Sequence, residues 1–147
     1  MQIKTLAIIT ALIFTVGELP AQTRADDIVG IWLTAGKEAA KIQIFKYEEK
    51  YYGKIVWLKN PTVKGSAKVD RNNPVKSKRT NPVLGLVLLN GFKFNGEDEW
   101  KEGNIYDPGS GKTYEAFMYL KDRNTLKLRG FIGISFFGRT ETWTRAQ

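Results

Sequence analysis

Gly111-Lys112-Thr113 has the ending of a phosphate-binding loop, and it is where residue types at a fixed spacing first suggest chemistry. That pattern places an earlier glycine at position 106, and the chain has Tyr106 there. The loop also needs a helix to begin at the lysine, so that backbone N–H groups and the helix dipole face the phosphates. Lys112–Lys121 (KTYEAFMYLK) instead alternates apolar and polar residues, the period of a strand. Asp107-Pro108-Gly109-Ser110-Gly111 is turn chemistry, with proline fixing φ and glycine supplying positive φ. The sequence therefore predicts a hairpin turn here and no nucleotide site.

The chain has no histidine and no cysteine. This removes the commonest general base, the usual nucleophile activator and the usual zinc ligand, together with thiol redox chemistry. Carboxylates remain. Glu97-Asp98-Glu99 is the densest acidic cluster, but it follows Gly96 and reads as a solvated hairpin tip. It offers too few oxygen ligands at defined spacing for a hard cation. No catalytic residue, metal or cofactor is expected; a carboxylate-only enzyme is the minor alternative.

Basic residues are the more informative set. The net charge is +8, which attracts anionic partners. Lys59–Pro82 (KNPTVKGSAKVDRNNPVKSKRTNP) carries seven lysines and arginines against one acid, Asp70. Its Asn-Pro steps at Asn60, Asn73 and Asn81 forbid a continuous helix. A loop of this length over a barrel mouth would steer an anionic ligand or touch an anionic membrane surface; the alternative is a solvated, flexible loop. It has no aromatic residue on which bases could stack, so nucleic acid is not an expected partner. Near the C-terminus, Arg139, Glu141, Trp143 and Arg145 share one side of an alternating segment. If Trp143 is in the core, Arg139 or Glu141 points inward and must pair or meet a charged ligand. The other arrangement is an Arg139–Glu141 pair exposed at a rim.

The elements that position these residues are strands. Runs rich in β-branched and aromatic residues fall at 28–33, 41–47, 51–58, 84–94, 100–106, 112–121, 125–132 and 136–145, broken by Gly, Asn and Asp. Eight strands joined by mostly short connections predict an all-β fold, a closed antiparallel up-and-down barrel. That strand number fills its interior or holds one small ligand. Four Trp, six Tyr and eight Phe make a filled interior a real competitor to a hollow one. Before the strands, Lys4 and the apolar run Leu6–Val16 form a signal-peptide pattern. The run is shorter than the roughly 20 residues a membrane helix needs. The expected division is a signal peptide over residues 1–21, with cleavage after Ala21 or Ala25, and one barrel domain over 22–147. The expected location is periplasmic or secreted.

Several pieces together resemble the DUF2147 family of small exported bacterial proteins, related to lipocalin-like (calycin) barrels. They are Asp27-Ile28-Val29-Gly30-Ile31-Trp32, Gly53-Lys54-Ile55-Val56, Asn73-Pro74, Leu84-Gly85-Leu86, Tyr106-Asp107-Pro108 and Gly111-Lys112-Thr113-Tyr114. Arg129-Gly130-Phe131-Ile132-Gly133 and Gly138-Arg139-Thr140-Glu141-Thr142-Trp143 complete them. Gly30-x-Trp32 is similar to the opening signature of lipocalins. The resemblance implies that Trp32 closes one barrel end against an arginine of the final strand, either Arg139 or Arg145. It also implies carriage of a small apolar or amphipathic molecule.

The resulting expectation is a non-enzymatic binding protein for an amphipathic or hydrophobic ligand with an acidic head. Ile44, Trp57, Tyr114, Met118 and Leu128 would form the apolar wall, Arg139 would meet the head group, and Trp32 and Trp143 would close the base. The alternative is a filled barrel acting on the envelope through its basic surface.

Overall fold

The computed structural model describes residues 22–132 and 138–147. Residues 1–21, expected to be a signal peptide, and Phe136 and Phe137 of the expected last strand lie outside the described residues.

The strands are β1 (Gly30–Leu33), β2 (Ala40–Tyr47), β3 (Lys50–Leu58), β4 (Thr62–Val63), β5 (Ser66–Ala67), β6 (Val87–Phe94), β7 (Glu99–Asp107), β8 (Lys112–Asp122), β9 (Thr125–Phe131) and β10 (Arg139–Ala146). Eight of them close into a barrel in the order β1-β10-β9-β8-β7-β6-β3-β2, with β4 and β5 forming a separate small hairpin. Every barrel pairing is antiparallel, and the closing pair sets Trp32 opposite Arg145. All eight predicted runs contribute a barrel strand. The first begins later than expected because Ala25–Ile28 forms a turn of 3-10 helix. The fourth, which becomes β6, begins later because Gly85, at φ +88°, turns the chain before Val87.

Side chains at alternate positions fill the end of the barrel nearest that helical turn. Trp100 meets Tyr51 edge-on at 6.4 Å and Phe94 at 5.0 Å. Trp32, Phe92, Trp100, Met118 and Leu126 are fully buried. The turn is a plug, and the indoles hold it: Trp32 Nε1 donates to the Ile28 carbonyl at 2.8 Å, and Trp100 Nε1 donates to the Ala25 carbonyl at 3.0 Å. Tyr51 donates its hydroxyl to Asp26 at 2.6 Å. Buried indole and phenol groups thereby keep a partner.

Arg145, not Arg139, packs on Trp32, with its guanidinium 4.2 Å from the ring centre. The same group donates to the carbonyls of Asp27 (2.7 Å), Val29 (3.1 Å) and Arg123 (2.7 Å). Burial lowers its pKa, and the charge of Asp27 opposes that shift. A planar fork with stacking faces suits this task better than a lysine ammonium. Gly30 leaves the room it needs, since a Cβ there would meet Arg145 Nη1 at 2.8 Å.

Two expected outcomes follow from this packing. Replacing Arg145 with Lys keeps the charge but removes the fork, and should cost about 1–3 kcal/mol in urea unfolding through the lost carbonyl partners. Gly103→Ala should cost about 1–3 kcal/mol by overpacking, because a Cβ at Gly103 would collide with the Phe92 ring. An unchanged denaturation midpoint in either variant would contradict the corresponding contact.

Candidate ligand cavity

At the opposite end of the barrel the side chains stop filling the interior. Ala40 and Gly130 occupy positions in that upper layer, whereas the lower layers hold tryptophan and phenylalanine. The result is an open cavity of about 770 Å³. Ile42, Ile55, Leu88 and Ile105 form its apolar walls, and Trp143 is part of its lining. A smaller recess of about 360 Å³ shares Ile105, Asp107 and Glu141 with it and extends to Tyr114, Leu128 and Arg139. The interior is thus filled at one end and hollow at the other, and the two expectations each describe half of it.

The basic stretch between β3 and β6 borders the hollow end, contributing Lys68, Val69, Arg71 and Asn72 to the cavity lining. It is docked rather than free. Asp70 is only 1% exposed. Its carboxylate accepts the Tyr106 hydroxyl at 2.7 Å and the Asn73 side-chain amide at 2.6 Å. Arg79 Nε donates to the Asn73 carbonyl at 2.8 Å, and Asn72 Nδ2 donates to the Gly109 carbonyl at 2.7 Å. Lys68 pairs with Glu38 of the β1–β2 connection. A buried carboxylate without a cation must be met by donors, and Tyr106 and Asn73 supply them.

The phosphate-loop look-alike acquires its role here. Gly111 donates its N–H to the Asp107 carbonyl at 2.8 Å, and β8 begins at Lys112, so the segment is a hairpin turn. Asp107 accepts the Gly109 N–H at 2.9 Å and the Ser110 hydroxyl at 2.6 Å. Gly111 sits at φ +72°, and a Cβ there would strike the Asn72 carbonyl. The glycine serves the approach of the long loop, not a phosphate.

The expected site residues separate. Tyr114 and Leu128 line the smaller recess. Ile44 and Met118 are buried in the core and line neither cavity. Trp32 lies at the plugged end, whereas Trp143 lines the cavity and donates Nε1 to Glu141 at 3.2 Å. Arg139 stands at the rim with its side chain 87% exposed, 3.9 Å from Glu141. Trp57 is a correction. It was expected on the inner wall, and it is 42% exposed on the outer face. Strict alternation puts it in phase with Ile55, but a bulge pairs Lys41 with Trp57 and Ile42 with Ile55. Val56 is the extra residue, and beyond it the phase inverts. Sequence reasoning did not select Ile42, Ile55, Leu88, Ile105 or Arg71. The first two carried a signal, since each alternates with a neighbour that was assigned inward.

Among the described residues no group of three or more acidic or histidine side chains is placed to hold a metal ion. The charged groups lining the cavity are Glu141, Asp107, Glu38, Lys68 and Arg71. Arg71 has no side-chain ion pair or hydrogen bond among the described residues. Asp107 is engaged by its own turn and Lys68 by Glu38, which leaves Arg71 as a cation available at the mouth.

A closed eight-stranded antiparallel barrel, plugged at one end by a Trp–Arg pair and hollow at the other, is a lipocalin-like barrel. Over residues 30–145 the chain matches the model of DUF2147, described as an uncharacterized protein conserved in bacteria, and it belongs to that family. It is similar to the solved structure of protein HP1028 from Helicobacter pylori, described as belonging to the lipocalin family. The TM-score is 0.72 at 25% identity, covering 82% of this chain and 83% of that one. No curated protein matches the chain.

The loop's attachment has a pH signature. Burial, together with the hydrogen bond to Asp70, pushes the Tyr106 phenol up to about 12. A phenol with a raised folded pKa contributes stability that is fully present below its unfolded value of about 10 and is lost as pH rises toward the folded one. The loop should therefore loosen between about pH 10 and 12, read as faster amide exchange over residues 68–82. Tyr106→Phe should remove the matching late phase from a tyrosinate absorbance titration and loosen the loop already at neutral pH. A Tyr106→Phe protein with wild-type exchange rates there would show that the hydroxyl does not hold the loop.

Proposed function

We propose that this protein is an exported, non-enzymatic binding protein that holds a small amphipathic molecule in the hollow half of its barrel. One observation carries the reading: an open cavity of about 770 Å³ walled by Ile42, Ile55, Leu88, Ile105 and Trp143. Small-molecule sites run to roughly 300–1,000 Å³, with apolar walls and a few placed polar groups. The lipocalin-family neighbour supports binding over catalysis. The absence of histidine and cysteine from the sequence supports it too. Export rests on Lys4, the apolar run Leu6–Val16 and the alanines that follow.

The apolar body of the ligand lies against the isoleucines and Trp143. An acidic head is favoured by the basic loop beside the mouth. Within it Arg71 is the better partner, since no carboxylate pairs with its side chain among the described residues, whereas Arg139 already faces Glu141 at 3.9 Å. Arg139 is a secondary contact through the smaller recess. Periplasm and extracellular space both fit this reading.

The test is a displacement titration with a fluorescent fatty-acid analogue, alongside native mass spectrometry of protein purified from its own host. Wild type should displace the probe with medium-chain carboxylates. Leu88→Trp, which fills the cavity, should weaken probe binding more than about tenfold, a loss of about 1.4 kcal/mol or more, while the β-sheet circular dichroism is kept. Arg71→Gln should weaken carboxylates but not the matching alcohols. Probe binding by Leu88→Trp equal to wild type, or a bare polypeptide mass together with no displacement, would overturn the assignment.

A further inference from the structure

The bulge that turns Trp57 outward also builds a surface. Trp57 is 42% exposed and Leu84 52%, and Val56 and Val87 are exposed with them. Backbone hydrogen bonds bring the two segments side by side: Ile55 donates to Leu86 and Gly85 donates to Ile55, at 2.9 and 2.8 Å. Lysines are set among these apolar groups. Lys41 is the cross-strand partner of Trp57, with Nζ 6.0 Å from the indole centre, and Lys54 is the cross-strand partner of Val87. The outer face of β2 and β3 continues the pattern. Phe45 stacks on Tyr52 at 5.9 Å, Tyr47 meets Tyr52 edge-on at 6.3 Å, and Lys54 lies over Phe45 at 5.9 Å. Lys59 follows at the mouth end. No aspartate or glutamate lies within Ala40–Tyr47 or Lys50–Lys59.

We propose that this face docks on an anionic phospholipid surface. Tryptophan and tyrosine favour the headgroup level of a bilayer. Lysines close to an anionic leaflet are drawn to its negative surface potential, and their stems can lie along apolar neighbours while the ammonium reaches outward. The aliphatic part of the patch decides between partners. Val56, Leu84 and Val87 gain from the acyl boundary, whereas an acidic polysaccharide offers them only hydroxyl-rich surface. The patch also borders the cavity, because Leu58, next to Trp57, is part of its lining. Docking by this edge sets the mouth beside the membrane. That last clause rests on the binding function proposed above; the docking itself does not.

The experiment is co-sedimentation of the full barrel with phosphatidylcholine vesicles, with and without phosphatidylglycerol, at low and high salt. The protein should partition onto the phosphatidylglycerol vesicles, and its tryptophan emission should be quenched by brominated acyl chains. The double variant V56S/W57S should lower partitioning more than tenfold and lose that quenching. K41Q/K54Q should weaken binding and flatten its salt dependence. K76Q/K78Q removes the same charge from the long loop and should stay within about twofold of wild type. Leu88→Trp should bind vesicles as wild type does, so a failed ligand titration and a failed docking test are separable. These outward positions tolerate substitution with little effect on stability, and circular dichroism checks that. The proposal is overturned by no partitioning of the wild type, by V56S/W57S binding as wild type, or by K76Q/K78Q losing as much as K41Q/K54Q.

Discussion

Arg145 lying across Trp32 joins the two ends of the sheet, and the rest of the architecture depends on that junction. The β1–β10 pairing runs only from Ile31 to Leu33 against Thr144 to Ala146. So short a ladder has few backbone hydrogen bonds, and open edges of this kind invite pairing with other chains. The guanidinium adds what the ladder lacks, with donors to Asp27, Val29 and Arg123 and a flat contact with the indole. Without closure, β10 would not face the interior, and neither Trp143 nor Glu141 would line a cavity.

Within the closed ring the layers divide the work. The plugged end is dense with aromatic side chains whose polar atoms end on the Ala25–Ile28 turn, which fixes the barrel's shape. The hollow end takes its walls from Ile42, Ile55, Leu88 and Ile105 and its rim from a loop pinned to Glu38, Tyr106 and Gly109. That loop carries most of its charge outward while a single buried carboxylate, Asp70, anchors it. Stability and opening are thereby assigned to different residues.

The strands were legible because each obeys a local rule: alternate residues face in, and Gly, Asn or Asp ends the run. The turn at Asp107–Gly111 was legible for the same reason. What escaped depends on contacts between distant residues. Asp70 looked like a lone acid in a flexible basic loop, and its partner Tyr106 is far away in sequence. The choice between Arg139 and Arg145 needed the register of the closing strand. Trp57 was misplaced because the four consecutive apolar residues Ile55-Val56-Trp57-Leu58 do not say which of them face inward, and the bulge that decides it is set by the pairing with β2. The void was not legible at all, since eighteen aromatics are enough to fill a barrel and only their placement shows that several of them, Tyr47, Tyr52 and Trp57 among them, are spent outside it.

The extra residue at Val56 has an evolutionary reading. Losing that one codon would restore the alternation of β3 and leave Trp57 where it is, on the outer face opposite Lys41, because Ile55 and Trp57 already pair with consecutive residues of β2. A length change of a single residue therefore alters the exterior surface, by one exposed valine, and leaves interior capacity as it was. Relatives with a β3 shorter by this residue would be expected to differ on the outer face and to keep the same cavity.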